Sequence, residues 1–136
     1  MSHTIMRKPM PLTARHNVES YFETHDVKYL AKDPVFTNMA TGEVVQGREA
    51  VEEMIHFIYH VAFDAKAVIR NRVITHKHAV LEFMFTGRHI GEFAGIPATN
   101  RDVEVPCTVF YDLEHGSIKT ARVYMMVNVL IQQITN

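Results

Sequence analysis

From Ala79 to Arg88 the sequence AVLEFMFTGR alternates, with Leu81, Phe83 and Phe85 on one side of an extended chain and Glu82, Met84, Thr86 and Arg88 on the other. Alternation with a period of two marks a strand with one buried face, and His89 joins the aromatic side, which is expected to pack on helices. Comparable runs occur in AKAVIRNRVIT, RDVEVPCTVFYDL and IKTARVYMMVNVL, separated by the turns HKH and EHGS and by the longer loop GEFAGIPATN. In the last run Arg122, Tyr124 and Met126 share a side opposite Val123, Met125 and Val127, so neither side reads as solvent-facing.

The first half of the chain keeps a different period. Ala14, Val18, Tyr21 and Phe22 recur at helical spacing after Thr13, a capping residue, while Pro9 and Pro11 keep the preceding segment extended. Asp26 reads as a second cap, opening a short helix VKYLAK that Pro34 stops at Asp33. DPVFTNM reads as a strand, ATGE as its turn and VVQ as the returning strand. After Gly47 a helix follows, in which Val51, Met54, Ile55, Ile58 and Ala62 form one apolar stripe and Glu52, Glu53, His56 and His60 lie off it. The closing NVLIQQI is either a short helix or the end of the last strand. Helices first and a strand meander last predict an α+β fold, an antiparallel sheet covered on one face by helices. A last strand apolar on both sides further predicts a covered outer face, most simply by a second copy of the chain.

Composition narrows the function classes. A chain of 136 residues without repeat or linker fits one domain, large enough to bury roughly two thirds of its unfolded surface. With 14 basic against 15 acidic residues it lacks the basic footprint of a nucleic-acid binder. No stretch approaches the roughly 20 apolar residues of a membrane span, and MSHTIMRKPMPL lacks the apolar core of a leader. The expectation is a soluble, cytoplasmic protein without a membrane partner. A single cysteine, Cys107, excludes an internal disulfide, and no zinc-type Cys/His spacing occurs, so no metal or organic cofactor is called for.

The segments VVQGREAVEEMI, AFDAKAVI, GRHIGEFAGIPAT and EHGSIKTARVYMMVNVLIQQI, in that order, resemble the SnoaL-like polyketide cyclases of the nuclear transport factor 2 superfamily, which also holds ketosteroid isomerase and limonene epoxide hydrolase. The most specific part is His89, Gly91, Phe93, Gly95, Ile96, Pro97 and Thr99, followed by Gly116-Ser117-Ile118 and Gln133-Ile134. The resemblance covers nearly the whole chain and fits one domain over residues 1–136, of which 1–11 read as an extended arm from Pro9 and Pro11. A cone-shaped, curved antiparallel sheet would wrap the N-terminal helices around a deep apolar pocket, with residues 91–100 at its rim, in a homodimer joined through the outer face of the sheet. It also implies a cyclase, isomerase or hydrolase acting on an apolar oxygenated molecule such as a polyketide or terpenoid. The chain departs from the family at Met126, which falls where the cyclases keep an acid/base carboxylate; a thioether cannot move a proton. Near the position of the isomerase base stands Asn38, and near its second acid Cys107 or Thr108. Tyr21 matches the aromatic residue that helps form the isomerase oxyanion hole.

The expected catalytic set is His89, Tyr124 and Arg122. His89, at the rim, is either a general acid/base or the residue that holds the glycine-rich loop by a hydrogen bond. Arg122 and Tyr124 point into the cone if Met126 does, to bind an anionic or carbonyl ligand and donate to an oxyanion; otherwise Arg122 pairs with Asp112 or Glu104. Tyr21, Asn38, Phe83, Phe85 and Met126 are the expected ligand contacts. Asp64 and Glu104 are read as solvated acids, and His56, His60, His76 and His78 as surface residues rather than metal ligands. Cys107 reads as a small buried residue rather than a nucleophile. The competing reading of the same pocket is a non-catalytic homodimeric binder of an apolar ligand.

Overall fold

The computed structural model describes residues 10–136, with side chains from Thr13 onward. Its elements are α1 (Met10–Thr24), a 3-10 turn (Val27–Tyr29), β1 (Leu30–Asn38), β2 (Val44–Gln46), α2 (Arg48–His56) running into a π turn (Phe57–Val61), β3 (Phe63–Ile74), β4 (His78–His89), β5 (Asp102–Glu114), β6 (Ser117–Met125) and α3 (Val127–Thr135). The α+β class holds. The sheet is open, in the order β2-β1-β6-β5-β4-β3. It is mixed rather than wholly antiparallel, because β1 pairs parallel to β6 while the other pairs are antiparallel. The expected antiparallel sheet is corrected at this one seam, where the first strand meets the last and no local hairpin dictates direction.

Two further corrections concern the start of the chain. α1 begins at Met10, so Thr13 lies inside the helix instead of capping it, and Pro11 sits in the first turn, where a missing N–H is tolerated. The extended arm expected through residue 11 is corrected at Met10 and Pro11, which are helical, while residues 1–9, Pro9 among them, lie outside the described residues. Asp26 does cap, accepting from the Lys28 N–H at 2.9 Å, yet it opens only the single 3-10 turn. VKYLAK is not a helix, because β1 starts at the buried Leu30. Pro34 falls within β1 at an irregularity in the pairing with β6, between Leu30 and Val35, where a missing donor is accommodated. Arg48 donates to the carbonyls of Leu30 and Ala31 at 2.8 and 3.1 Å and steadies that stretch.

The alternation in β4 survives intact: Leu81, Phe83, Phe85 and His89 are buried, and Glu82 and Arg88 are exposed. In β5 the buried residues are Val103, Val105, Cys107, Val109 and Tyr111. Val18, Tyr21 and Phe22 of α1 and Val51 of α2 belong to the same core cluster as these strand residues. Each such large side chain contributes about 1.5–3 kcal/mol of transfer free energy. β3 and β4 approach so closely at Gly87 that a Cβ there would run into the Asp64 carbonyl and Ala65. NVLIQQI is a helix, α3, burying Leu130 and Ile134. Pairing of β5 with β6 ends at Cys107 and Met125, and beyond it Gln133 takes over: its side chain donates to the Glu104 carbonyl at 2.9 Å and accepts from the Glu104 N–H at 2.8 Å.

Candidate functional site

Helices and sheet enclose an inner chamber of about 240 Å³. Its walls come from every layer: Tyr21, Phe22 and His25 from α1 and its end, Phe36 and Asn38 from β1, Ile58 and Tyr59 from the π turn, Phe83 and Phe85 from β4, Tyr111 from β5, and Val123 and Met125 from β6. The π turn matters here. The Ala62 N–H bonds to the Phe57 carbonyl instead of the carbonyl four residues back, and the widened turn leaves Tyr59 buried while His60 stays exposed.

The polar atoms in this chamber are few. Tyr21, Tyr59 and Tyr111 are nearly fully buried. Their hydroxyls make no side-chain hydrogen bond among the described residues. Burial raises the pKa of all three above the ordinary phenol value; the Glu52 charge adds to it at Tyr21, and Cys107 and then Tyr21 add at Tyr59. They are therefore donors at any physiological pH. His25 follows α1 with a positive φ of 57°, its ring 4.7 Å from that of Tyr59 and 5.5 Å from that of Tyr21. Burial, and secondly the neighbouring His60, lower its pKa to about 4, so the imidazole is neutral near pH 7. One carboxylate, Glu43, reaches the lining from an exposed position at the turn after β1.

Of the expected ligand contacts, Tyr21, Asn38, Phe83 and Phe85 are in this wall and Met126 is not. The Asn38 oxygen is used locally, accepting from the N–H groups of Ala40 and Thr41 at 2.9 and 3.3 Å. Met126 stands at the N-cap of α3, about half exposed, in an outer depression with Met39 and Tyr124. Its neighbours Met125 and Val127 take the inner side.

The expected catalytic set is not brought together. Tyr124 lies on the outer face, 47% exposed. Arg122 also faces outward, its guanidinium 2.8 Å from Asp112 and stacked on Phe110 at 4.7 Å. Arg122 lowers the Asp112 pKa by its hydrogen bond, and Asp112 raises that of Arg122. The expectation that Arg122 and Tyr124 enter the cone is corrected, because the residues that β6 turns inward are Ala121, Val123 and Met125.

His89 is fully buried but outside the chamber wall, with its Nδ1 2.9 Å from the Thr99 hydroxyl and accepting from the Thr99 N–H at 3.2 Å. Its ring packs 5.1 Å from Phe63. It ties down the loop after β4, whose turn Phe93-Ala94-Gly95-Ile96 has φ of 52° and 80° at its centre, the mirror-image turn that favours glycine. That turn sets Phe93 against both Phe63 and the chamber.

The remaining candidates stay outside. Asp64 and Glu104 line an open outer groove with Arg88 and Asp102. His56 and His60 stack at 5.3 Å on an exposed helix face, and no cluster of three metal-type side chains occurs among the described residues. The Cys107 thiol is pushed up to about 12 by burial, which keeps it a thiol. Sequence reasoning missed His25, Tyr59 and Tyr111. Alternation from Cys107 and Val109 would have found Tyr111.

A helix-covered open sheet with an aromatic chamber between the layers defines an α+β domain of the ketosteroid-isomerase-like kind. The chain belongs to the SnoaL-like polyketide cyclase family, whose model matches residues 15–134, and this family supports a cyclase or isomerase type of small-molecule function. A protein assigned to the SnoaL-like polyketide cyclases from Jannaschia sp. CCS1 superposes with a TM-score of 0.79 at 18% identity, over 95% of this chain and 96% of that one. A phenazine biosynthesis-related protein from Pseudomonas aeruginosa gives 0.76 at 19% identity, over 93% and 83% of the two chains. A Catenulispora acidiphila protein with a ketosteroid isomerase-like fold, in complex with trimethylamine, gives 0.64 at 17%, over 79% and 77%. No curated protein matches the chain in sequence. Among the described residues no helix is long and apolar enough to cross a membrane.

Proposed function

We propose that the protein is a small-molecule enzyme of the cyclase or isomerase type, acting on an apolar oxygenated compound of polyketide or terpenoid character bound in the inner chamber. The observation that carries this reading is the convergence on an apolar cavity of three protonated tyrosine hydroxyls that have no side-chain partner among the described residues. Donors fixed in a dry site stabilise charge developing on a substrate oxygen, and removing one such donor typically costs about 10²–10³ in rate. Tyr21 is the donor that the family resemblance favours. Position 126, where that resemblance places the family's acid, carries a methionine, so proton transfer falls to another group.

The test uses 2-naphthol as a binding probe and exchange of the α-protons of 2-tetralone with D₂O as the reaction. Saturable 2-naphthol binding that disappears in Phe83→Trp, together with catalysed exchange that slows about 10²–10³-fold in Tyr21→Phe, supports the reading. Binding without catalysed exchange would favour a non-catalytic binder, and no binding would remove the chamber from consideration.

We also propose a homodimer formed through the outer face, where Met39, Tyr124 and Met126 expose apolar surface around one depression. Tyr124→Lys then shifts the sedimentation coefficient from dimer to monomer, whereas a monomeric parent protein refutes the assignment.

A further inference from the structure

Three observations meet at His25. It occupies a left-handed backbone conformation just after a helix, a place that favours glycine and costs other residues roughly 1–2 kcal/mol elsewhere in protein structure. Its ring lies in the chamber wall against Tyr21 and Tyr59. Neither ring nitrogen makes a side-chain hydrogen bond among the described residues. A strained, partly buried imidazole without a structural partner is a functional candidate in its own right.

We propose that His25 is the proton-transfer base of the chamber, and that its substrate is a neutral one- or two-ring ketone bearing hydrogen on the carbon beside the carbonyl. This rests on the enzymatic reading above and adds to it the residue and the substrate class. Size supports the class. An engineered cavity of about 150 Å³ holds one benzene, so about 240 Å³ holds roughly ten non-hydrogen atoms, too few for a four-ring skeleton. Charge supports it as well. Among the described residues the lining contains no lysine or arginine to pair with a buried substrate carboxylate.

The step balances without a co-reactant. A ring nitrogen of His25 takes the α-proton, the C–H electron pair becomes the carbon–carbon double bond, and the carbonyl π pair moves onto oxygen, where a tyrosine hydroxyl donates a hydrogen bond. The imidazolium then returns the proton to the same carbon, or to the conjugated position of an unsaturated ketone, which completes an isomerisation. Burial keeps the imidazole unprotonated near pH 7 and makes the imidazolium a strong acid that gives its proton back. A base in this range serves when the oxyanion is hydrogen-bonded; the aspartate of ketosteroid isomerase, at about 4.6, is an example. The titratable groups around His25 are Tyr21 on its own helix, Tyr59 and His60 on the π turn, Asp26 beside it, and Glu43 at the chamber's edge.

The experiment compares wild type with His25→Asn, which suits the left-handed backbone, and with His25→Gln as a second variant. The expected result is a loss of about 100-fold or more in 2-tetralone exchange, with 2-naphthol binding retained. The wild-type rate should stay level from neutral pH down to about 5 and fall as the pH approaches about 4. Full exchange in both variants, or a wild-type profile that breaks near 6.5, overturns the role of His25 and leaves the enzymatic reading standing. A wild type that binds 2-naphthol but catalyses no exchange overturns the enzymatic reading itself.

Discussion

Lowering the pH from 7 to 5 should weaken the folded protein more than it weakens a His25→Asn variant. The His25 pKa falls from 6.5 to about 4 on folding, mainly through burial. Between those values the unfolded chain binds a proton that the folded chain refuses, so stability declines as the pH drops through the window and levels off below it. At 1.36 kcal/mol per pH unit the full effect is about 3 kcal/mol, and about 2 kcal/mol of it is expressed by pH 5. The ring is only partly shielded from solvent, which trims the expectation to about 1–2 kcal/mol. Urea unfolding of both proteins at pH 7, 6 and 5 measures this directly, because the wild-type minus variant difference cancels the other histidines. A difference that stays constant over that range refutes the reasoning, as does a His25 ring resonance titrating near 6.5.

The other expectations are structural. Gly87→Ala forces a methyl against the Asp64 carbonyl and Ala65 and should destabilise by about 1–3 kcal/mol in urea titrations. Ala94→Asn should raise the urea midpoint by about 0.5–1 kcal/mol equivalent, because Asn-Gly suits a turn whose central φ values are 52° and 80°. Arg122→Met breaks a part-exposed ion pair with Asp112 on the face away from the chamber; it should change stability by less than about 1 kcal/mol in urea titrations and leave 2-naphthol binding unaltered.

Much of the architecture was legible because it is local. Alternation placed Leu81, Phe83 and Phe85 on the inner face, and the family resemblance carried by the loop after His89 and by Gln133-Ile134 is confirmed by the match over residues 15–134. Failures came where distant chain segments decide. The parallel seam of β1 with β6 joins Leu30 to Ile118, which no hairpin signal announces. The faces of β6 were ambiguous because both carry apolar residues; the outward direction of Tyr124 follows from its place opposite Thr108, a pairing invisible along the chain. Tyr59 was hidden by a π turn that breaks helical periodicity, and His25 by standing alone after a helix with no period to reveal it.

Gln133 carries a consequence of its own. Where β6 stops, its carboxamide copies the donor–acceptor pair that another strand would present to Glu104. Without that mimic, an unfinished backbone edge would be free to recruit an extended peptide from any molecule nearby. One amide near the carboxyl end thus acts as a guard against intermolecular β-pairing, and its loss should show first as turbidity on storage rather than as a lower melting point.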